Sequence, residues 1–182
     1  MSPCPYKRIV VVGSSGSGKS ILAERLSERL GLKYVELDAL NWQPKWTPAP
    51  LPDFRRSVEA ALGSGESAWV VAGNYGMVRS IIWPRAQAII WLDYSLPLIF
   101  WRLLKRTTRR VVMQEELWNG NREKLWPQLK LWSDDSLFHW LFKTYWRRKR
   151  ELPALFALPG NAHLNVIRFS SPHETEKWFA AL

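Results

Sequence analysis

Between Val12 and Ile21 the chain reads Gly13-Ser14-Ser15-Gly16-Ser17-Gly18-Lys19-Ser20. The apolar run Ile9–Val12 precedes it and Ile21–Leu26 follows, which sets the loop between a strand and a helix. Glycine, four residues, then Gly-Lys-Ser in that setting is the pattern of a phosphate-binding loop. Its glycines let the backbone curl so that several N–H groups point inward, and the helix adds its positive end. Lys19 supplies a mobile cation for the β- and γ-phosphates, and the Ser20 hydroxyl is placed to ligate Mg²⁺. A dinucleotide-binding turn is excluded, because Gly16-Ser17-Gly18 would need a glycine where Ile21 stands. The loop predicts nucleoside triphosphate binding.

A length of 182 residues fits one domain with a substantial core. No apolar run approaches the roughly 18 residues of a membrane span. The opening Met1–Pro5 lacks the apolar stretch of a signal peptide, so a cytoplasmic location is the default expectation. Cys4 is the only cysteine, which excludes an intrachain disulfide and a cysteine metal cluster. The net charge of +10 is uneven: residues 101–150 hold thirteen Lys/Arg against five Asp/Glu. Such a basic stretch attracts phosphate, whether on nucleotides, nucleic acid or anionic lipid.

Along the chain, strands alternate with helical stretches. Tyr6–Val12 reads as a central strand, followed by a helix with Leu22, Leu26 and Leu30 on one side and Gly31 as its stop. A second strand, Tyr34–Leu37, ends at Asp38. Residues 39–52 carry four prolines with Trp42 and Trp46 between them and read as a long functional loop. A helix over Asp53–Leu62 follows, then a strand over Ala68–Ala72 that runs into Gly73-Asn74-Tyr75-Gly76. The strand Ala88–Leu92 finishes at Asp93, and Leu96–Val112 is helical. Residues 113–135 are mixed and polar. A basic helix over Ser136–Arg150, a strand over Leu164–Phe169 and a capping box at Ser171–Glu174 opening a helix through Leu182 complete the chain. The alternation predicts one domain over 1–182, a three-layer α/β sandwich around a five-stranded, mainly parallel sheet. Ligands bind at the carboxyl ends of such strands, so the loop, Asp38, Gly73–Tyr75 and Asp93 should share one edge.

With these residues assembled, the chain resembles the adenylate-kinase-like group of P-loop small-molecule kinases over nearly its whole length. Within that group it looks closest to the small bacterial proteins called DNA topology modulation or adenylate kinase-related proteins. The likeness is carried by Glu36–Trp42, Gly73-Asn74-Tyr75, Trp83-Pro84-Arg85, Trp91–Tyr94 and Leu117–Asn121. It implies ATP in the P-loop, an acceptor-binding arm over about 38–66, and a helical basic lid over about 107–146. It also implies that Arg102 and Arg106, four apart, lead into the lid, with Arg102 on the nucleotide. Arg106, Arg109 and Arg110 would then clamp the transferring phosphate. On the returning helix Lys143, Arg147 and Arg150 fall on one face.

Adenylate kinases carry an acid after the third strand, where this chain has Ala72. The stretch Leu37-Asp38-Ala39-Leu40 looks nearer to gluconate- and shikimate-type kinases, which place an acid after the second strand and phosphorylate a hydroxyl. Asp38 is therefore expected to hold Mg²⁺ with Ser20, or to position the acceptor, with Asp93 as the second choice. Trp42 and Tyr75 are expected to stack on a planar acceptor, Asn74 to lie beside them, and Arg79 to hold an acceptor phosphate or carboxylate. The expected activity is an ATP- and Mg²⁺-dependent phosphotransferase acting on a nucleotide or a small hydroxylated metabolite. Lys19, Asp38, Arg106 and Arg110 would carry the chemistry. Rival expectations are a nucleic-acid-associated or regulatory ATPase gripping phosphate backbone with residues 101–150, weakly and without base readout, and a nucleotide-binding protein without catalysis.

Overall fold

Strand β1, Arg8–Gly13, is buried from Ile9 onward because alternate side chains serve two cores. Ile9 and Val11 pack with Leu22, Ala23 and Leu26 and with Ile99 and Leu103. Val10 and Val12 pack on the opposite face with Phe54, Val58, Leu62 and Trp69. Each such side chain contributes about 1.5–3 kcal/mol by leaving water. A strand buried on both faces dictates a sheet with helices above and below it. The computed structural model describes residues 5–65, 67–122 and 137–182.

After β1 come α1 (Lys19–Leu30), β2 (Lys33–Glu36) and α2 (Leu37–Asn41). A two-residue ribbon, β3 (Trp42–Gln43) with β4 (Thr47–Pro48), leads to α3 (Leu51–Leu62). Next are β5 (Trp69–Ala72), α4 (Arg79–Ile82), β6 (Ala88–Leu92) and α5 (Leu96–Val112). A second ribbon pairs β7 (Glu116–Leu117) with β8 (Asn121–Arg122). The chain closes with α6 (Leu137–Phe156), β9 (Asn165–Phe169) and α7 (Pro172–Ala180). The sheet order is β2–β5–β1–β6–β9, and every neighbouring pair is parallel. All five strands thus deliver their carboxyl ends to one edge, as the sequence predicts. Among the described residues no helix is long and apolar enough to cross a membrane.

Three local expectations change. The second strand ends at Glu36, whose carboxylate accepts the Asp38 N–H at 3.5 Å and starts α2. Asp38 therefore stands in the first turn of a short helix, and residues 39–52 hold α2 and the β3–β4 ribbon rather than an open loop. The basic helix runs past Arg150 to Phe156, through Pro153. An internal proline costs about 3 kcal/mol. Burial offsets it: Leu152 is 5% exposed, and Phe156 stacks on Trp83 at 5.6 Å and meets Trp91 edge-on at 5.8 Å. Helix α6 thus puts Leu141 and Tyr145 into one core and Leu152 into the other. Residues 123–136, the middle of the expected lid, and Glu66, the end of the expected acceptor arm, lie outside the described residues.

Candidate active site

The loop after β1 closes with the Ser17 N–H donating to the Ser14 carbonyl at 3.1 Å. Gly16, at φ +86°, must be glycine. A Cβ there would lie 2.9 Å from the Ile99 carbonyl and 3.1 Å from Leu103 Cβ, because the loop rests directly on α5. Helix α1 begins at Lys19 with no side-chain cap, which leaves its first N–H groups for an anion. Ser17 Oγ is buried without a hydrogen-bond partner. The Lys19 ammonium reaches back to the Ser14 carbonyl at 3.2 Å. Burial pulls it down to about 8, Arg148 pushes the same way, and Asp38 and Glu36 oppose them. A triphosphate fits this cradle on every count.

Asn74 serves the loop. Its side-chain oxygen accepts the Gly13 N–H at 3.3 Å and its amide donates to the Gly13 carbonyl. Arg102 donates to the Ser17 carbonyl at 3.3 Å and lies over the Tyr94 ring at 5.5 Å. Gly13 and Ser14 are buried behind the loop, while Ser15, Gly16, Ser17, Gly18, Lys19 and Ser20 face the cleft.

Two carboxylates lie beyond Lys19, and they differ in company. Glu36 accepts the Tyr34 hydroxyl at 2.6 Å and is also hydrogen-bonded by Ser20. Burial raises its pKa, against the two hydroxyl bonds. Asp38 accepts the Tyr75 hydroxyl at 2.5 Å. The Tyr75 ring is held edge-on by Phe54 at 5.2 Å, and burial together with Asp38 keeps its phenol protonated. The acid adjoining Ser20 is thus Glu36, and Asp38 faces the Tyr75 side. Ser20 and Glu36 form a pair of hard oxygen donors, and Mg²⁺ takes one or two carboxylates beside substrate phosphates. Among the described residues no group of three or more His, Cys, Asp or Glu is arranged to hold a metal ion.

One cleft of about 2660 Å³ joins these groups. A pocket for a single small ligand is roughly 300–1,000 Å³, so this cleft has room for two. Lys19, Arg102, Arg106, Arg109 and Arg110 stand in its lining. So do Asp38, Trp42, Tyr75 and Arg79, with the Arg79 guanidinium 4.9 Å from the Trp83 ring. Of the three α6 cations named above, Arg147 reaches the cleft, while Lys143 and Arg150 are exposed outside its lining. Arg148 reaches it too and is less exposed than its neighbour; burial pulls its guanidinium down to about 10, still cationic at neutral pH. Asp93 is elsewhere: it accepts two bonds from Arg168 and lies 3.7 Å from Lys149 Nζ, so its charge is neutralised within the scaffold.

Superposed on known structures, the chain matches a gluconokinase of Sinorhizobium meliloti with a TM-score of 0.52 at 20% identity, covering 96% of this chain and 90% of that one. The fold is that of the P-loop kinases. In sequence it is similar to shikimate kinases of Paramagnetospirillum magneticum, 28% identical over 121 residues, and Synechococcus elongatus, 28% over 132. These matches cover 59% and 66% of this chain, and 62% and 69% of the two relatives. No protein-family model matches the chain. The relatives are P-loop kinases of the shikimate and gluconate type, consistent with the adenylate-kinase-like resemblance. They give no support to a closer likeness to the DNA topology modulation proteins.

Sequence reasoning passed over two of this P-loop kinase fold's cleft residues. Glu36 could have been found as a lone carboxylate at the carboxyl end of an apolar strand. Arg148 could have been found from helical spacing, since Leu141, Tyr145, Arg148 and Leu152 form a single inward stripe.

Proposed function

We propose that the protein is an ATP- and Mg²⁺-dependent kinase that phosphorylates a hydroxyl of a small anionic metabolite. The observation that carries this reading is the shared cleft, in which a tyrosine-held Asp38 and the Arg148 guanidinium lie close enough to the P-loop lysine to act on its charge, with Arg79 in the same lining. A guanidinium beside a carboxylate, with a second guanidinium in the same cleft, suits an acceptor bearing both a carboxylate or phosphate and a hydroxyl. Asp38 takes the hydroxyl proton as the acceptor oxygen bonds to the γ-phosphorus and the bond to the β-phosphate oxygen breaks. Lys19 neutralises charge on the β- and γ-phosphates, and Arg106 and Arg110 stabilise charge on the transferring group. Ser20 and Glu36 hold Mg²⁺, which supplies charge neutralisation at the phosphates when bound. Arg102 secures the loop and the nucleotide, Trp42 and Tyr75 wall the acceptor, and Asn74 keeps the loop in register with β5.

The basic segment supports this reading over a nucleic-acid grip, because Arg102, Arg106 and Arg110 stand in the same cleft lining as the P-loop lysine. The test is acceptor-dependent ADP release with shikimate, gluconate, nucleosides and nucleoside monophosphates. At least one polyhydroxylated carboxylate should raise turnover well above the acceptor-free blank. A blank-level response across the acids, with stimulation by a nucleoside monophosphate, would replace the acceptor class.

A further inference from the structure

Seventy-five residues apart in sequence, Trp46 and Asn121 clasp the two sides of the cleft. Asn121 is 4% exposed, and its side chain makes three hydrogen bonds. It accepts the Trp46 backbone N–H at 2.8 Å, and it donates to the carbonyls of Gln43 at 2.9 Å and Trp118 at 2.8 Å. Around it, Trp46 Nε1 donates to the Arg122 carbonyl at 3.2 Å, and Asn119 donates to the Trp42 carbonyl. Three indoles seal the junction edge to face: Trp42 against Trp46 at 5.7 Å, and Trp46 against Trp118 at 6.5 Å. The junction holds three residues other than glycine in the left-handed region, Lys45 at φ +63°, Trp46 at +57° and Asn119 at +58°. For a residue as bulky as tryptophan that conformation persists only where surrounding contacts over-determine it.

The clasp joins the segment that walls the acceptor half to the segment that leaves the arginine end of α5. From Arg109 and Arg110 the chain passes Glu115, which pairs with both at 2.9 and 3.8 Å, and enters the β7–β8 ribbon at Glu116. Asn121 stands eleven positions after Arg110, connected to it through the Glu115 ion pairs and the β7–β8 ribbon.

We propose that Asn121 is a positioning residue that ties the acceptor-side ribbon β3–β4 to the arginine end of α5, so that nucleotide and acceptor sites order each other. The inference rests on the nucleotide reading above. By reciprocity, nucleotide that orders the acceptor ribbon strengthens acceptor binding by the same factor as acceptor strengthens nucleotide binding.

Hydrogen exchange with a non-hydrolysable ATP analogue and Mg²⁺ tests this without the acceptor. In the parent protein the analogue should slow exchange in residues 13–22 and, by on the order of fivefold or more, at the amides of residues 42–49, with the Ala49 N–H, which donates to the Asn41 carbonyl and not to Asn121, as reporter. Asn121→Ala should keep the first effect and lose the second. Asn119→Gly is a gentler variant, since glycine accepts φ +58°, and it should lose part of the second effect with its fold unchanged. Should Asn121→Ala not fold, Asn119→Gly alone decides. Undiminished nucleotide-induced protection of 42–49 in a folded variant, or its absence in the parent, overturns the clasp. Absence of protection in 13–22 of the parent would overturn the nucleotide reading itself, and the clasp with it.

Discussion

Asp93 separates scaffold from chemistry, because sequence reasoning made it a second choice for Mg²⁺ and the structure gives it to two cations. Its side chain is 5% exposed, with Arg168 Nε at 2.9 Å and Lys149 Nζ at 3.7 Å. The same Arg168 guanidinium lies 4.8 Å from the Trp91 ring, so the pair fastens β6 to β9 and to α6. Asp93→Asn removes the charge at nearly constant volume. Breaking a buried pair from one side costs about 3–5 kcal/mol. Here the abandoned side chains of Arg168 and Lys149 are 55% and 38% exposed and keep part of their hydration, which places the loss near the lower end, about 3 kcal/mol. For a domain of this size that is a fall in melting temperature of about 6–12 °C. Thermal melts by circular dichroism, beside turnover at 25 °C, check both halves. The melting point should drop while turnover stays within about twofold, since Asp93 is not in the cleft lining. An unchanged melting point with turnover lost would make Asp93 a catalytic acid rather than a scaffold residue.

The two cleft acids should fail differently. Asp38→Asn should lower kcat by about 10²–10⁴ with the Mg²⁺ requirement little changed, whereas Glu36→Gln should raise the Mg²⁺ concentration for half-maximal turnover; a magnesium titration of both variants distinguishes the roles. Lys19→Ala should reduce turnover by about a hundredfold with circular dichroism unchanged, and retained turnover would contradict the P-loop assignment. Because the Lys19 ammonium sits at about 8 in the free protein, it is mostly neutral at pH 9, and bound phosphates draw the proton back. Nucleotide binding at pH 9 should therefore take up close to one proton, and affinity should fall as pH rises above about 8; calorimetry in buffers of different ionisation enthalpy reads the uptake.

What sequence alone made legible was what short range dictates. The apolar run Ile9–Val12, the glycines of the loop and the proline-opened helix at Leu96 each determine their own conformation, and the alternation of such pieces leaves a parallel sheet as the solution. The cleft was legible only as far as strand ends point to it. Glu36 and Asp38 are two residues apart, and their roles separate through Tyr34 and Tyr75, partners fixed by tertiary packing. Helical spacing singled out Lys143, Arg147 and Arg150 as one face, but the face that α6 turns inward is set by Leu141, Tyr145 and Leu152 and brings Arg148 with it. Asp93 looked like a ligand because nothing near it in sequence shows Arg168.

Phosphoryl transfer to a hydroxyl is read by following radiolabel from the γ-position of ATP. With shikimate and gluconate as acceptors, label should pass to an acid in an Mg²⁺-dependent reaction, and Lys19→Ala and Asp38→Asn should each suppress transfer by about a hundredfold or more. Label released only as inorganic phosphate, at one rate with or without every acceptor, would contradict it.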